Sequence, residues 1–475
     1  MAQYASVDVL LDEARLMAAY RPCRVAFALL LMLAIGRAHA TSVLMISVDG
    51  MKPEYALQAD SRKLKLPFLY SMIADGAYAR GVVGVWPTVT YPSHTTLITG
   101  VTPAEHGIYD NLEFDPKRKF AESWFWYARQ IKVPTLWEAA HRAGLTTASV
   151  GWPVSVGSPD VDFLIPEYWR IFHPTEDLNP SDRHLIAALS KPAGMLEKMQ
   201  RSLGPYLMGN DVSLEADEIK TRFAVDILRS HKPRFMTVHL SSLDEAEHDH
   251  GPFSLEANQN LEAIDGMLSR LAAATRTNDP AAIVIVVSDH GFVSLTHRVN
   301  LYIPFIQAGL LDATVDPKNQ TPLVKSWQAQ PWLASGMAAI MLRDPRDEQT
   351  VAKVRDLLNN LKSDPNNGIE EVLDRDAIGK RGAFPGASFL VVMKPSYYTG
   401  NSLSGEVVTD MLGHGGHGFS PDDPSMRAAF FIDGKGIAPH HELGIIDMRQ
   451  IAPTVAQLLD LRMPSATATP LPVRQ

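Results

Sequence analysis

The chain is almost without cysteine: Cys23 is the one thiol in 475 residues. It stands ahead of an apolar run and away from any cleavage point, so it is not placed as a lipid-attachment cysteine. Downstream of it a disulfide framework, a cysteine nucleophile and a thiolate metal site are all excluded. Stability there must rest on the core and on any bound metal. Blocks of like charge, low-complexity tracts and fixed-period repeats are also lacking. The balance of 44 basic and 53 acidic residues, net −9, argues against a general nucleic-acid-binding surface. The apolar run at residues 25–35 is too short to span a bilayer comfortably.

That run is instead the centre of a targeting segment. Arg21 and Arg24 precede it, and Ala38-His39-Ala40 follows as an A-x-A cleavage site. Residues 1–40 therefore read as a cleavable signal peptide, and the mature protein as periplasmic or secreted with no stable membrane span; an uncleaved anchor is the alternative. Asp8, Asp12 and Glu13 are unlike a signal n-region, which leaves Met17 as an alternative start.

Ser42-Val43-Leu44-Met45-Ile46-Ser47-Val48 is nearly continuous apolar sequence ending in Asp49-Gly50, the pattern of a buried parallel strand delivering a carboxylate at its C-terminal end. Further strands are expected at 78–85, 146–150, 234–240 and 282–287, with helices at 64–77, 134–143, 214–231, 254–274 and 448–459. Residues 151–213 read as irregular and aromatic-bearing. Strands alternate with helices, and polar clusters fall at strand ends, so the expected fold is α/β: a doubly wound, mostly parallel sheet sandwiched by helices. After Gly291 the rhythm changes. Residues 296–410, approximately, hold their own strands at 337–342 and 389–393 and a helix at 347–361, read as a small inserted α+β subdomain of a catalytic domain spanning 41–462. Residues 463–475, rich in Pro, Thr and Ala, read as a loose tail.

The run Thr88-Val89-Thr90-Tyr91-Pro92-Ser93-His94-Thr95-Thr96 reads as strand, tight turn and helix N-terminus. A hydroxyl there faces unpaired amides and the positive end of a helix dipole, both of which favour an anion. Taken alone such a threonine-rich turn is usually a cap. Four polar clusters accompany it: Asp49; Asp244 with His248, spaced i, i+4; Asp289 with His290; and His417 in Gly415-Gly416-His417-Gly418-Phe419. Singly these are a cap, a solvated acidic turn, a strand-end turn and a loop histidine, with His414 a rival to His417. Jointly they offer three carboxylates and three imidazoles, a set suited to zinc over the oxygen-loving magnesium. Two such ions could lower the pKa of a nearby hydroxyl and stabilise both the attacking and leaving oxygens of a phosphoryl transfer.

Asp49, Pro87 to His94, Gly100, Pro103 to Asn111, Asp244-x3-His248-x2-Gly251-Pro252, Ser288-Asp289-His290-Gly291 and His417-Gly418-Phe419 occur in an order that resembles the nucleotide pyrophosphatase/phosphodiesterase branch of the alkaline phosphatase superfamily, over most of residues 41–462. The resemblance implies the alkaline phosphatase-like fold and two Zn2+ ions. It implies that Thr90 is the nucleophile, forms a phospho-threonine intermediate, and joins Asp49, Asp289 and His290 on one ion. Asp244, His248 and His417 would hold the other. Asn111 and the amide after the nucleophile would donate to a non-bridging phosphate oxygen, donors worth on the order of 3–4 kcal/mol each. The usual Phe after the nucleophile is Tyr91 here. The cysteine-rich flanking modules of vertebrate members have no counterpart, so the chain is similar to the compact bacterial form.

The expected substrate is a small nucleotide diester or pyrophosphate. No arginine follows Thr90 before Arg118 to clamp the extra charge of a monoester. Tyr91, Trp124, Phe125, Trp126, Tyr168 and Trp169 could stack a base or pack an alkyl group, with Tyr168 the leading candidate for the base. A phosphonoacetate-type C–P hydrolase and a lipid-headgroup phosphodiesterase on the same scaffold are alternatives, because a fold and metal set do not fix the substrate. A catalytically silent metal-binding periplasmic protein is a third. A dedicated sulfatase would have a modified Cys or Ser where Thr90 stands.

Overall fold

The computed structural model describes residues 41–116, 124–169, 181–207, 211–317 and 321–474. The expected signal peptide and Arg118 lie outside them. Among the described residues no helix is long and apolar enough to cross a membrane.

An eight-stranded sheet forms the centre. Its strands in chain order are β1 (Val43–Val48), β2 (Ala77–Tyr78), β3 (Thr147–Val150), β4 (Phe163–Ile165), β5 (Phe235–Leu240), β6 (Ile283–Val287), β7 (Phe430–Asp433) and β8 (His441–Glu442). Across the sheet they run β8-β2-β7-β6-β1-β5-β3-β4. From β6 to β4 all neighbours are parallel, and β7 runs antiparallel to β6 and β2. The continuous apolar character of β1 follows from burial on both faces. Leu44, Ile46 and Val48 join one core with Phe223 and Leu261, from α2 (Leu214–His231) and α4 (Leu255–Asn278). Val43 and Met45 join the opposite core with Leu97 and Val455, from α1 (Thr90–Thr99) and α5 (Ile451–Leu458). The sheet is thus sandwiched by helices, the alkaline phosphatase-like α/β architecture expected.

Several local expectations change. The strand expected at 78–85 is two short strands, Ala77–Tyr78 in the central sheet and Gly81–Val83 paired with Ile445–Asp447, because the chain leaves the sheet between them. The stretch 151–213 is not uniformly irregular: it contains β4 and the nine-residue helices Ser181–Leu189 and Met195–Leu203. The tail is docked rather than loose. Leu471 and Val473 are buried, the Leu471 amide donates to Thr454 Oγ1 at 2.8 Å, and the Ala438 amide donates to the Val473 carbonyl at 2.9 Å.

Between β6 and β7 stands a four-stranded antiparallel sheet, in order Ala329–Ala334, Met337–Leu342, Phe389–Met393, Ile369–Asp374, with the helix Glu348–Ser363. The strand His297–Asn300 pairs with both Tyr397–Gly400 and Val408–Asp410, so a segment inserted at 296–410 would enter and leave side by side. It reaches the turn before α1 through Arg381, whose guanidinium lies 4.3 Å from the Trp86 ring.

The loop after α1 is pinned by a buried histidine. Ile108 N–H donates to His106 Nδ1 at 3.1 Å, so Nε2 carries the proton and faces Thr96 Oγ1 at 3.1 Å, whose own proton goes to the Val101 carbonyl at 3.0 Å. Burial pushes the His106 pKa down to about 3. The unfolded value is about 6.5, so the stability this residue contributes is whole above that pH and drains as pH falls from there toward 3. His106→Asn, which keeps an acceptor for the Ile108 amide but does not titrate, should therefore flatten the fall in unfolding free energy below pH 6.5, by up to about 1.4 kcal/mol per pH unit, in urea melts across that range.

Candidate active site

The polar clusters singled out in the sequence gather at the C-terminal end of the parallel strands, where Tyr168 and Trp169 also arrive after β4. Asp49 follows β1. Asp289 and His290 follow β6. Asp244 and His248 sit one turn apart on α3 (Ser242–His250), which follows β5. Thr90 is the first residue of α1, and His417 comes from the loop after the inserted segment. Gly50 lets Asp49 and Asp289 meet: its amide donates to Asp289 Oδ1 at 3.1 Å, its φ is +74°, and a Cβ there would lie 2.7 Å from Glu247 Oε2.

Two trios of possible ligand atoms result, Asp49–Asp289–His290 and Asp244–His290–His417. His290 Nε2 is 3.1 Å from Asp289 Oδ2, 3.4 Å from Asp49 Oδ1 and 3.4 Å from Thr90 Oγ1. The second trio differs from the set the resemblance implies, since His290 enters it and His248 does not. His248 Nε2 is still 3.5 Å from Asp244 Oδ2, and His417 Nε2 is 3.8 Å from Asp244 Oδ1. The His290 and His417 rings stack 3.7 Å apart. His248 and His417 each turn Nδ1 to a carbonyl, of Gly415 and Thr88 respectively, both at 3.1 Å. That fixes the tautomer that leaves Nε2 free to ligate. His414 is exposed, its Nδ1 facing the His248 carbonyl at 3.2 Å.

The electrostatics suit a cation. Burial, then repulsion from Asp289 and Asp244, pushes the Asp49 carboxyl well above its usual range. Burial raises Asp289 to about 6 and also raises Asp244. Burial, then the neighbouring imidazoles, holds His290 far below its ordinary value and His417 down at about 3. Asp49 Oδ1, Asp244 Oδ1 and Asp289 Oδ2 are buried without a hydrogen-bond partner. A divalent ion favours ionised carboxylates and neutral imidazoles together, and the mixed N/O donor set fits zinc.

The N-terminus of α1 is capped in an unforeseen way. Val89 offers no side-chain cap, and the Tyr91 amide instead donates to Asn111 Oδ1 at 2.9 Å. The amide expected to bind phosphate therefore positions Asn111. The helix is wholly buried, and three of its polar side chains turn back on its own carbonyls: Thr95 to Tyr91 at 2.8 Å, Thr99 to Thr95 at 2.7 Å, and His94 Nδ1 to Thr90 at 2.8 Å.

A cavity of about 250 Å³ opens over Thr90. Tyr91, Trp124, Tyr168 and Trp169 are on its wall, whereas Phe125 and Trp126 lie behind in the aromatic core. Trp124 packs 5.2 Å from Tyr91 and 4.8 Å from Trp169; Tyr168 packs 5.2 Å from Trp126. Sequence reasoning missed Glu167, His239, Tyr206 and Lys220 on this wall. Glu167 is adjacent to the Tyr168 that was singled out, and His239 belongs to the strand leading to Asp244, but no spacing marked either.

The arrangement is an alkaline phosphatase-like fold carrying clustered acidic and imidazole side chains beside a hydroxyl at a helix N-terminus. The family model described as Type I phosphodiesterase / nucleotide pyrophosphatase matches residues 43–424, and the chain belongs to that family. It is 24% identical over 272 residues to ectonucleotide pyrophosphatase/phosphodiesterase family member 1 of Homo sapiens, covering 55% of this chain and 24% of the relative. It is 22% identical over 264 residues to venom phosphodiesterase 2 of Crotalus adamanteus, covering 54% and 27%. The match thus spans about a quarter of the length of these curated relatives. The fold matches murine ectonucleotide pyrophosphatase/phosphodiesterase 5 with a TM-score of 0.61 at 18% identity, over 90% of this chain and 97% of that one. An inactive threonine-to-alanine variant of the murine protein in complex with AMP matches equally, with a TM-score of 0.61 and 18% identity over 91% and 97%.

Proposed function

We propose that this protein is an exported zinc-dependent phosphodiesterase or nucleotide pyrophosphatase that releases nucleoside monophosphates. The observation that carries the reading is the place of Thr90 Oγ1: 3.4 Å from an imidazole common to both ligand trios, at a helix N-terminus, on the floor of the aromatic-walled cavity. Asp49, Asp289, His290 and Thr90 would hold one Zn2+, and Asp244, His248 and His417 the other. The ions would supply Lewis acidity for the attacking and leaving oxygens. Thr90 gives up its hydroxyl proton to solvent as Oγ bonds to phosphorus, the bond to the leaving oxygen breaks, and that oxygen departs with its electron pair and takes a proton from solvent. Water then displaces Thr90 from phosphorus, giving net retention. Asn111, held by the Tyr91 amide, is placed to donate to a non-bridging oxygen. The AMP held by the murine structural relative, and the inactivity of its threonine variant, support both the product class and the nucleophile.

Among the described residues Lys220 is the one lysine or arginine on the cavity wall, and it is already tied to Asp217 at 3.1 Å and Ser241 at 2.8 Å. That disfavours a phosphonoacetate hydrolase, whose second carboxylate needs a cationic clamp. The deciding experiment pairs thymidine 5′-monophosphate p-nitrophenyl ester with p-nitrophenyl phosphate on purified protein of known metal content. A large diester preference, lost on chelation and restored by zinc, is expected. Equal monoester turnover would make the protein a phosphatase, and no turnover with zinc bound would favour a silent binding protein.

A further inference from the structure

A continuous chain of hydrogen bonds runs from the nucleophile turn to Asp49 through two residues that no ligand set includes. Tyr91 Oη donates to Glu167 Oε1 at 2.5 Å. The other oxygen of that carboxylate, Glu167 Oε2, is 3.1 Å from His239 Nδ1, which also lies 3.1 Å from the Gly151 carbonyl. On the far side of the ring, His239 Nε2 is 2.9 Å from Asp49 Oδ2. The chain joins the start of α1, the segment after β4, the end of β5 and the end of β1. It depends on register, because β1 and β5 pair in parallel with Ser47 opposite His239, bringing the imidazole alongside Asp49, two residues beyond Ser47.

The contact divides the two oxygens of Asp49. Oδ2 is occupied by the imidazole, whereas Oδ1 has no hydrogen-bond partner and faces His290 Nε2 at 3.4 Å. Both ring nitrogens of His239 meet only acceptors, Nε2 the Asp49 carboxylate and Nδ1 the Glu167 carboxylate and the Gly151 carbonyl, so each is a donor. We propose that His239 is a positioning residue: it sets the rotation of Asp49 so that Oδ1 alone is presented to the metal, and Glu167 holds the imidazole for that task while fixing the Tyr91 side chain. Asp49 is 3% exposed, His239 2% and Tyr91 1%. A water admitted from the cavity would not hold Asp49 Oδ2 as a fixed imidazole N–H does, so without His239 the carboxylate is free to rotate or to offer both oxygens. Partners that orient a ligating group in this way typically control metal affinity by about 10- to 100-fold.

The inference rests on the metal reading of the site, so its test reads metal binding rather than turnover. Zinc affinities are measured by competition with a chromophoric chelator on the whole mature chain. Wild type binding two equivalents is the starting point; fewer overturns the metal reading itself, before any variant is compared. His239→Ala should weaken one of the two sites about 10- to 100-fold and leave the other unchanged. His239→Gln places an amide N–H near the position of Nε2 and should recover most of the loss. Should the alanine variant not fold, His239→Asn takes its place, since its amide is too short to reach Asp49. Unchanged affinity in His239→Ala or His239→Asn, or a His239→Gln variant as weak as either, overturns the positioning role.

Discussion

Thr90→Ala should lower diester turnover by at least about 10^4-fold while two zinc ions stay bound, because losing the nucleophile of a covalent mechanism removes the reaction path itself. The substitution suits such a test. Thr90 occupies the first helical position and is not the cap, and alanine is the best helix former, so α1 should keep its stability. The three side chains proposed beside Thr90 on the same ion, Asp49, Asp289 and His290, come from other elements and remain. Thr90→Ser, which keeps the hydroxyl, should recover a measurable part of the rate. Steady-state kinetics and metal analysis on the same preparation check both halves. Unchanged turnover in the alanine variant would end the nucleophile assignment, and loss of zinc alongside activity would reduce Thr90 to a ligand.

The ease of finding Thr90 contrasts with the difficulty of finding His239. Asp49, Asp289 and His290 were legible because a buried parallel strand has a plain signature and ligands gather where it ends. Asp244 and His248 were legible as a pair because helical spacing is regular. His239 carries no such mark. It is an inward residue of a strand, and its role exists through the register of β1 against β5 and through Glu167 arriving after β4. The helix Met195–Leu203 was hidden for another reason. Its buried Met195, Leu196 and Met199 make a helical stripe, but Pro192, Gly194 and Gly204 punctuate so short a segment that it read as loop. In the tail, Leu471 and Val473 alternate as a pairing strand would, and proline-rich composition masked them. Local periodicity thus exposed the frame and the polar clusters at the strand ends, whereas contacts made by register were beyond it.

Asp244→Asn should produce two effects of opposite sign. Zinc content should fall from two per chain to about one, with diester turnover down by about 10^3-fold or more, because Asp244 is the carboxylate facing both His248 and His417 and an amide cannot supply its charge. In chelator, the same variant should melt at a higher temperature than wild type. Burial works against an ionised Asp244, and its charge in turn pushes Asp49 and Asp289 upward. Removing it relieves a buried cluster of like charges that a bound cation would otherwise offset. Metal analysis and thermal melts with and without chelator separate the two effects. Full zinc occupancy in Asp244→Asn would mean the second ligand set is wrong. An unchanged or lower melting temperature without metal would mean that the three carboxylates are not in electrostatic conflict, and the electrostatic argument for a cation would fall with it.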